Sequence, residues 1–246
     1  MSPDLELALG LAELADSLSL PRFRATDLVV ERKPDLSPVT DADRTVERAL
    51  RERLATERPE DAIAGEEEGL ADAGASGRRW ILDPIDGTRN FSRGIPVWAT
   101  LIALEEGGAM SLGVVSAPTL RHRWWAERGG GAWRDGKPIR VSAVETLADA
   151  AVSCSYPSDL ARVGPHVWHP RGFADFWQSM LVAEGSLDAC VDSRLELWDY
   201  AALGVIVEEA GGRATRIDNG PLVPREQVVC SNGLLHDELR ALLAET

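Results

Sequence analysis

The sequence predicts a mixed fold, α/β or α+β, and three observations carry this prediction. Apolar residues recur at helical spacing near the start of the chain, at Leu5, Ala8, Leu9, Ala12, Ala15 and Leu18. Short apolar runs separated by glycine-rich turns follow between residues 97 and 141, which indicates an antiparallel sheet. Helical and strand patterns then alternate loosely to the end. For 246 residues we expect one domain of two packed halves, 1–146 and 147–246.

The first element is a helix that begins at Ser2 and Pro3, with Ser2 as its cap and proline at its first position. A short strand at 28–31 and an irregular polar loop at 33–38 follow. A second helix begins near Thr40, a plausible cap, and Asp43 stands where the acid of a capping box would. Capping alone is a sufficient explanation for Asp43 at this level.

An acidic run follows the second helix. A short buried strand at 61–64 leads into Gly65-Glu66-Glu67-Glu68. Acidic runs are usually solvated surface, so this segment by itself predicts no function. The next segment, 70–79, is rich in alanine, glycine and serine, and we expect a mobile loop there.

The central stretch of the chain runs from Trp80 to Phe91. Its apolar start predicts a buried strand that ends on Asp83, and Pro84 is expected to stop the strand ladder. Asp86-Gly87 predicts a turn, and a helix is expected to open at 88–90. Two aspartates on such a turn can converge on one divalent cation, with a backbone carbonyl such as that of Ile85 as a further ligand. The alternative is a pair of ordinary turns with solvated carboxylates.

The remaining elements follow from apolar runs and turn residues. Asp199 opens a helix rich in alanine and valine that ends at Gly211-Gly212, so a capping role is again the simpler alternative to a ligand. The segment 157–170 is expected to be a loop. Strands are predicted at 97–104, 110–116, 121–127, 131–134, 138–141, 150–153, 186–191, 214–217 and 227–230, and helices at 176–184 and 236–244.

Composition limits the class of protein. The formal net charge is −14, which argues against nucleic acid or a membrane surface as a partner, because both demand basic surface. An anionic substrate would then need bound cations to invert the local charge. The three cysteines, Cys154, Cys190 and Cys230, are widely spaced and predict buried thiols in a reducing compartment. With no signal pattern at the N-terminus, we expect a cytoplasmic protein.

Three motifs in this order resemble the inositol monophosphatase family. The central stretch matches the family signature W-x-L-D-P-I-D-G-T-x-N-F, and Trp198-Asp199 leading to Gly211-Gly212 matches a second pattern. Gly65-Glu66-Glu67 matches a third. The resemblance covers essentially the whole chain, and it implies a layered αβαβα sandwich of the inositol monophosphatase and sugar phosphatase type. The half 1–146 would carry most metal ligands, and the half 147–246 would carry Asp199 and the specificity region.

The resemblance also implies a set of site residues. Two or three Mg²⁺ ions would be bound by Glu66, Asp83, Asp86, Asp199 and the carbonyl of Ile85, with Glu67 beside them. Asp43 and Thr88 would activate the attacking water together with Glu66, and the amides of Gly87 and Thr88 would hold the phosphate. Substrate contacts are expected from Asp86, Arg171, Asp175, Asp192 and Asp199.

Substrate choice rests on further details of the resemblance. Residues 33–43, 123–126 and 231–238 are most similar to the actinobacterial branch that hydrolyses histidinol phosphate, a substrate whose amine and imidazole would suit acidic Asp175 or Asp192. The alternatives are an inositol-1-monophosphatase, another small-molecule phosphatase of the family, or an inactive member that acts as a binding protein. A nucleotide substrate is disfavoured because no basic cluster is evident near the site. Members are commonly homodimers, and we expect the same here.

Overall fold

The computed structural model describes residues 1–69 and 75–244. Helix α1 begins as predicted, because the Ser2 hydroxyl oxygen accepts a hydrogen bond from the Leu5 amide at 3.1 Å. The part of the chain in view contains no helix that is both long and apolar enough to span a membrane. The helices are α1 (Pro3–Ser19), α2 (Asp41–Glu57), α3 (Thr88–Ser92), α4 (Pro157–Val163), α5 (Asp175–Ala183), α6 (Leu197–Glu209) and α7 (His236–Ala244).

Two large sheets form the frame of the molecule. In the first, strands β3 to β9 lie in chain order and all neighbours are antiparallel except β3 and β4. Its members are β3 (Ala62–Gly65), β4 (Arg78–Asp86), β5 (Ala99–Glu106), β6 (Ala109–Ala117), β7 (His122–Glu127), β8 (Ala132–Arg134) and β9 (Lys137–Ile139). A separate hairpin pairs β1 (Val30–Arg32) with β2 (Pro38–Thr40).

The second sheet is mixed and has five strands in the order β11-β10-β12-β14-β13. Its central strand β12 is parallel to β10 and antiparallel to β14. The three predicted thiols are all buried and unpaired, and two of them lie opposite each other on β12 and β14. The strands are β10 (Ala151–Cys154), β11 (His169–Arg171), β12 (Ala189–Ser193), β13 (Arg213–Arg216) and β14 (Gln227–Ser231).

The helices complete five layers, which confirms the αβαβα sandwich. Helices α1 and α2 pack on the outer face of the seven-stranded sheet, around Trp80 and Leu82. Helices α5 and α6 lie between the two sheets, and α4 and α7 cover the outer face of the five-stranded sheet. Residues 200 to 207 of α6 are almost all buried, because a helix between two sheets is apolar on every side.

Close contact between α6 and the seven-stranded sheet depends on a glycine. A Cβ atom at Gly113 on β6 would lie only 2.6 Å from the carbonyl oxygen of Ala202. A larger residue would push the helix off the sheet, and with it Asp199 at the start of that helix. The middle layer is thus seated at a fixed height above the strands that carry the central motif.

Three local predictions were wrong. Strand β4 does not stop at Pro84 but continues to Asp86, because a register shift against β5 between Asp83 and Asp86 accommodates the proline. The segment 157–170 is not a loop, since it holds helix α4, a short 3₁₀ turn at 164–166 and the start of β11. The loop expected at 70–79 lies partly outside the described residues, and Arg78 and Arg79 already belong to β4.

Candidate active site

A polar cavity with a volume of about 800 Å³ lies where the two sheets and the middle helices meet. The end of β4, the start of α6 and the loop of the β1-β2 hairpin all reach it. Seven acidic residues line it: Asp35, Glu66, Asp86, Asp175, Asp192, Glu196 and Asp199. The cavity is therefore strongly acidic on one side.

Asp86 lines this cavity, and Asp83 lies next to Asp86, at the irregular end of β4. The Ile85 amide donates to Oδ1 of Asp83 at 3.0 Å, so that carboxylate is held by its own chain two residues away. The Pro84 carbonyl accepts a hydrogen bond from the Thr100 hydroxyl at 2.8 Å. These bonds fix the register shift, and both aspartates are buried, with 2% and 9% of their surface exposed.

Asp199 completes a cluster with these two residues. One carboxylate oxygen from each of Asp83, Asp86 and Asp199 lies within 4.8 Å of the others; we call this cluster the acidic floor. Asp199 also accepts the Glu196 amide at 2.7 Å with Oδ2, and Asp86 accepts the Phe176 amide at 2.5 Å with Oδ2. Because a carboxylate has two oxygens, a bond to a backbone amide leaves the other oxygen free for a ligand.

The negative charges of the acidic floor are buried close together, and a bound cation would stabilise them. Burial, followed by the charges of Glu66 and Asp86, raises the pKa of Asp83 well above its usual value. Burial likewise raises the pKa of Asp199 to about 7. Across residues 1–69 and 75–244, neither lysine nor arginine forms an ion pair with the acidic floor. Clustered buried carboxylates without a counter-charge are the ligand set of a hard divalent cation such as Mg²⁺, and the donor set fits that ion.

Glu66 lies beside the acidic floor and is paired with a lysine. Lys33 Nζ lies 2.7 Å from Oε1 of Glu66 and 2.7 Å from Oε1 of Glu67. Burial alone would lower the pKa of Lys33, but the two carboxylates outweigh it and raise the pKa above its usual value. Sequence reasoning missed Lys33, although it is one of only two lysines in an arginine-rich chain.

Asp43 makes contacts that fit both of the roles that the sequence left open. Its Oδ2 caps helix α2 by accepting the Thr40 amide at 2.7 Å and the Thr40 hydroxyl at 2.5 Å. Its Oδ1 lies 3.2 Å from the hydroxyl of Thr88, which is also 3.0 Å from the Ile85 carbonyl oxygen. Burial raises the pKa of Asp43 to about 7, which is the range suited to a general base at neutral pH.

A further part of the cavity, which we call the specificity wall, comprises Ser155, Asp175 and Asp192. Asp175 accepts a hydrogen bond from Nδ2 of Asn90 at 3.0 Å. Asp192 accepts one from Nε2 of Gln178 at 2.8 Å, and burial raises its pKa to about 6. These contacts hold both carboxylates in place at the edge of the cavity.

Other predicted contacts on this side differ. Arg171 lies on β11 and does not line the cavity, and its Nη1 donates to the adjacent Pro170 carbonyl. Three other arginines do line it: Arg89, Arg194 and Arg225. The sequence did not indicate these basic residues near the site, because Arg194 and Arg225 come from segments that carry no motif.

The acidic floor fits a metal-dependent enzyme, and comparison with known proteins shows its class, a hydrolase of phosphoric monoesters. The chain belongs to the inositol monophosphatase family, whose model matches residues 1–246. The predicted family is thus confirmed.

Individual relatives are similar over nearly their whole length. The histidinol-phosphatase of Mycobacterium tuberculosis is 50% identical over 250 residues, covering 96% of both chains. The histidinol-phosphatase of Streptomyces coelicolor is 46% identical, covering 98% of this chain and 96% of its own. A solved IMPase structure from Thermotoga maritima superposes with a TM-score of 0.91 at 32% identity, covering 99% of this chain and 98% of its own.

Proposed function

We propose that this protein is a magnesium-dependent histidinol-phosphatase, which converts L-histidinol phosphate and water to L-histidinol and phosphate in histidine biosynthesis. The convergence of Asp83, Asp86 and Asp199 supports the metal-dependent chemistry. The two histidinol-phosphatases that share 46% and 50% of their residues with this chain support the substrate.

The proposed metal ligands are those of the family motif. Glu66, Asp83 and the Ile85 carbonyl would hold one Mg²⁺. Asp83, Asp86 and Asp199 would hold a second. A third ion, if bound, would lie beside Glu66 and Glu67. Such ions supply Lewis acidity toward the phosphate and its leaving oxygen, and they lower the pKa of water. The buried acidic floor supports this assignment, because its charges otherwise repel each other.

The chain's own residues would handle the proton and the substrate. Thr88 lies between Asp43 and the cavity, so its hydroxyl can accept a hydrogen bond from the attacking water while it donates to Oδ1 of Asp43. The amides of Gly87 and Thr88, at the start of α3, have no intrahelical partner and would bind the phosphate. Asp175 and Asp192 would bind the substrate amine and imidazole as charge-assisted acceptors.

Three further expectations remain part of the proposal. We propose a homodimer, a cytoplasmic location and a division into halves at residue 146. Light scattering coupled to size-exclusion chromatography tests the first of these. A mass equal to that of one chain would contradict it.

Phosphate release from a substrate panel tests the proposed function. The panel contains histidinol phosphate, inositol 1-phosphate, a 3′-phosphoadenosine nucleotide and fructose 1,6-bisphosphate, each with Mg²⁺ and with a chelator. We expect metal-dependent release that strongly favours histidinol phosphate. Faster release from inositol 1-phosphate would keep the metal site and overturn the substrate, and no release from any of the four would favour an inactive binding protein.

A further inference from the structure

Glu47 is a buried carboxylate that the reaction does not use directly. It lies on α2, and none of its side-chain surface is exposed. A buried charge is costly unless it is paired and hydrogen-bonded. The partners of Glu47 therefore indicate what it is for.

Those partners belong to the acidic turn that carries Glu66. Oε2 of Glu47 accepts the Glu67 amide at 2.7 Å, and Oε1 accepts the Glu68 amide at 3.0 Å. One side chain thus binds two consecutive amides directly after Glu66. These bonds set the direction in which the Glu66 side chain leaves the backbone.

Gly65 shows how closely the carboxylate fits under this turn. A Cβ atom at Gly65 would lie 2.2 Å from Oε1 of Glu47, far inside contact distance. Any residue other than glycine would displace the carboxylate from the turn. This contact gives a physical reason for the glycine of the Gly65-Glu66-Glu67 motif.

Arg51 completes the support. Its Nε donates to Oε1 of Glu47 at 2.8 Å, and its Nη2 donates to the Gly69 carbonyl at 3.1 Å. Gly69 in turn exchanges two backbone hydrogen bonds with Gly65, at 3.0 and 3.1 Å. The guanidinium therefore holds the far end of the same turn and neutralises Glu47.

We propose that Glu47 and Arg51 are positioning residues that set the affinity of the site for divalent cations by fixing the orientation of Glu66. This inference rests on the proposed function, in which Glu66 is a metal ligand. Residues that orient a metal ligand typically change metal affinity or activity by about 10- to 100-fold when they are replaced. Neither residue touches the substrate cavity, so their effect passes through Glu66.

The test measures Mg²⁺ binding to the whole protein by calorimetry and by the Mg²⁺-induced rise in melting temperature. In Glu47→Gln an NH₂ group replaces one carboxylate oxygen, so it faces either the Glu67 amide or the Glu68 amide with the Arg51 guanidinium, and one of the two amides loses its acceptor. We expect its Kd for Mg²⁺ to rise about 10- to 100-fold. Activity should recover toward the wild-type value at high Mg²⁺, which a general loss of structure would not allow.

Two further variants complete the design. Glu57→Gln is the control, because Glu57 also forms an i,i+4 pair with an arginine of α2, Arg53, in the reverse order, but is exposed; its Kd should equal that of wild type. Arg51→Lys keeps the charge and loses contacts to the turn. We expect its Kd for Mg²⁺ to be about fivefold higher than that of wild type, which is the effect of one hydrogen bond.

Different failures have different meanings. A folded Glu47→Gln protein with the wild-type Kd would overturn the inference. If that variant does not fold, a wild-type Kd in Arg51→Lys overturns it instead. If the wild-type protein itself binds no Mg²⁺, the proposed function fails and the inference fails with it.

Discussion

The acidic floor and the specificity wall belong to one cavity, but they are held in different ways. In the floor, all three carboxylates accept backbone amides, those of Ile85, Phe176 and Glu196. In the wall, Asp175 and Asp192 accept the side-chain amides of Asn90 and Gln178, and Asp192 also accepts the backbone amide of Ser193. The floor therefore depends on the path of the backbone, whereas the wall also depends on which side chains lie beside it.

The largest expected effect breaks the floor. Asp83 contributes to both proposed cation positions, so Asp83→Asn should lower kcat by roughly 10⁴-fold or more. The Mg²⁺-induced rise in melting temperature should disappear. The metal-free protein should melt higher than wild type, because one of the mutually repelling charges is gone. Phosphate-release assays and thermal melts with and without Mg²⁺ measure all three; retained Mg²⁺ stabilisation would contradict the assignment.

The next effect separates proton transfer from metal binding within the floor region. Thr88→Ala removes the hydroxyl between Asp43 and the cavity, and kcat should fall by roughly 100- to 1000-fold. The Kd for Mg²⁺ should stay within about twofold of wild type. Thr88→Ser restores the hydroxyl and should recover most of the activity. Equal activity of the alanine and serine variants would show that the hydroxyl has no such role.

A smaller effect tests the wall. Asp192→Asn removes a charged acceptor, and the KM for histidinol phosphate should rise by roughly tenfold or more, the effect of a charge-assisted hydrogen bond. The KM for p-nitrophenyl phosphate, whose nitrophenyl group carries no positive charge for Asp192 to bind, should not change. Asp149→Asn is the control, since Asp149 is exposed and bonds only to Thr146.

Arg171 sharpens the same comparison. It does not line the cavity, so Arg171→Ala should leave the KM for histidinol phosphate within about twofold of wild type. A rise as large as that of Asp192→Asn would instead support the contact expected from the sequence.

The smallest effect is a pH dependence of stability. Burial raises the pKa values of Asp43 and Asp199 to about 7 and that of Asp192 to about 6. The folded state then binds more protons than the unfolded state above about pH 4, so the free energy of unfolding falls as pH rises. The metal-free protein should melt progressively lower between pH 5 and pH 8. With saturating Mg²⁺ the melting temperature should depend less on pH. A metal-free melting temperature that rises with pH would contradict the prediction.

The readable part of the site was the part with a local signal. Asp83 and Asp86 were predicted as a candidate cation site because both lie on one turn, whereas the ligand role of Asp199 came only from the resemblance to the family, since a helix start by itself indicates a cap. The continuation of β4 through Pro84 was missed, since the register shift depends on pairing with β5. Helix α4 was missed because its turn residues indicated a loop. Glu47 gave no signal at all, as its role appears only when the chain brings it under a turn 20 residues away.

The backbone bonds of the floor also make it observable from a distance. The amide protons of Phe176 and Glu196 donate to oxygens of Asp86 and Asp199. Phe176 lies in the first turn of α5 and Glu196 directly precedes α6, the two helices of the middle layer. Their rates of hydrogen–deuterium exchange therefore report how firmly those carboxylates are held. Two backbone positions, each read by exchange with deuterium from the solvent and without a substrate, follow the state of the acidic floor.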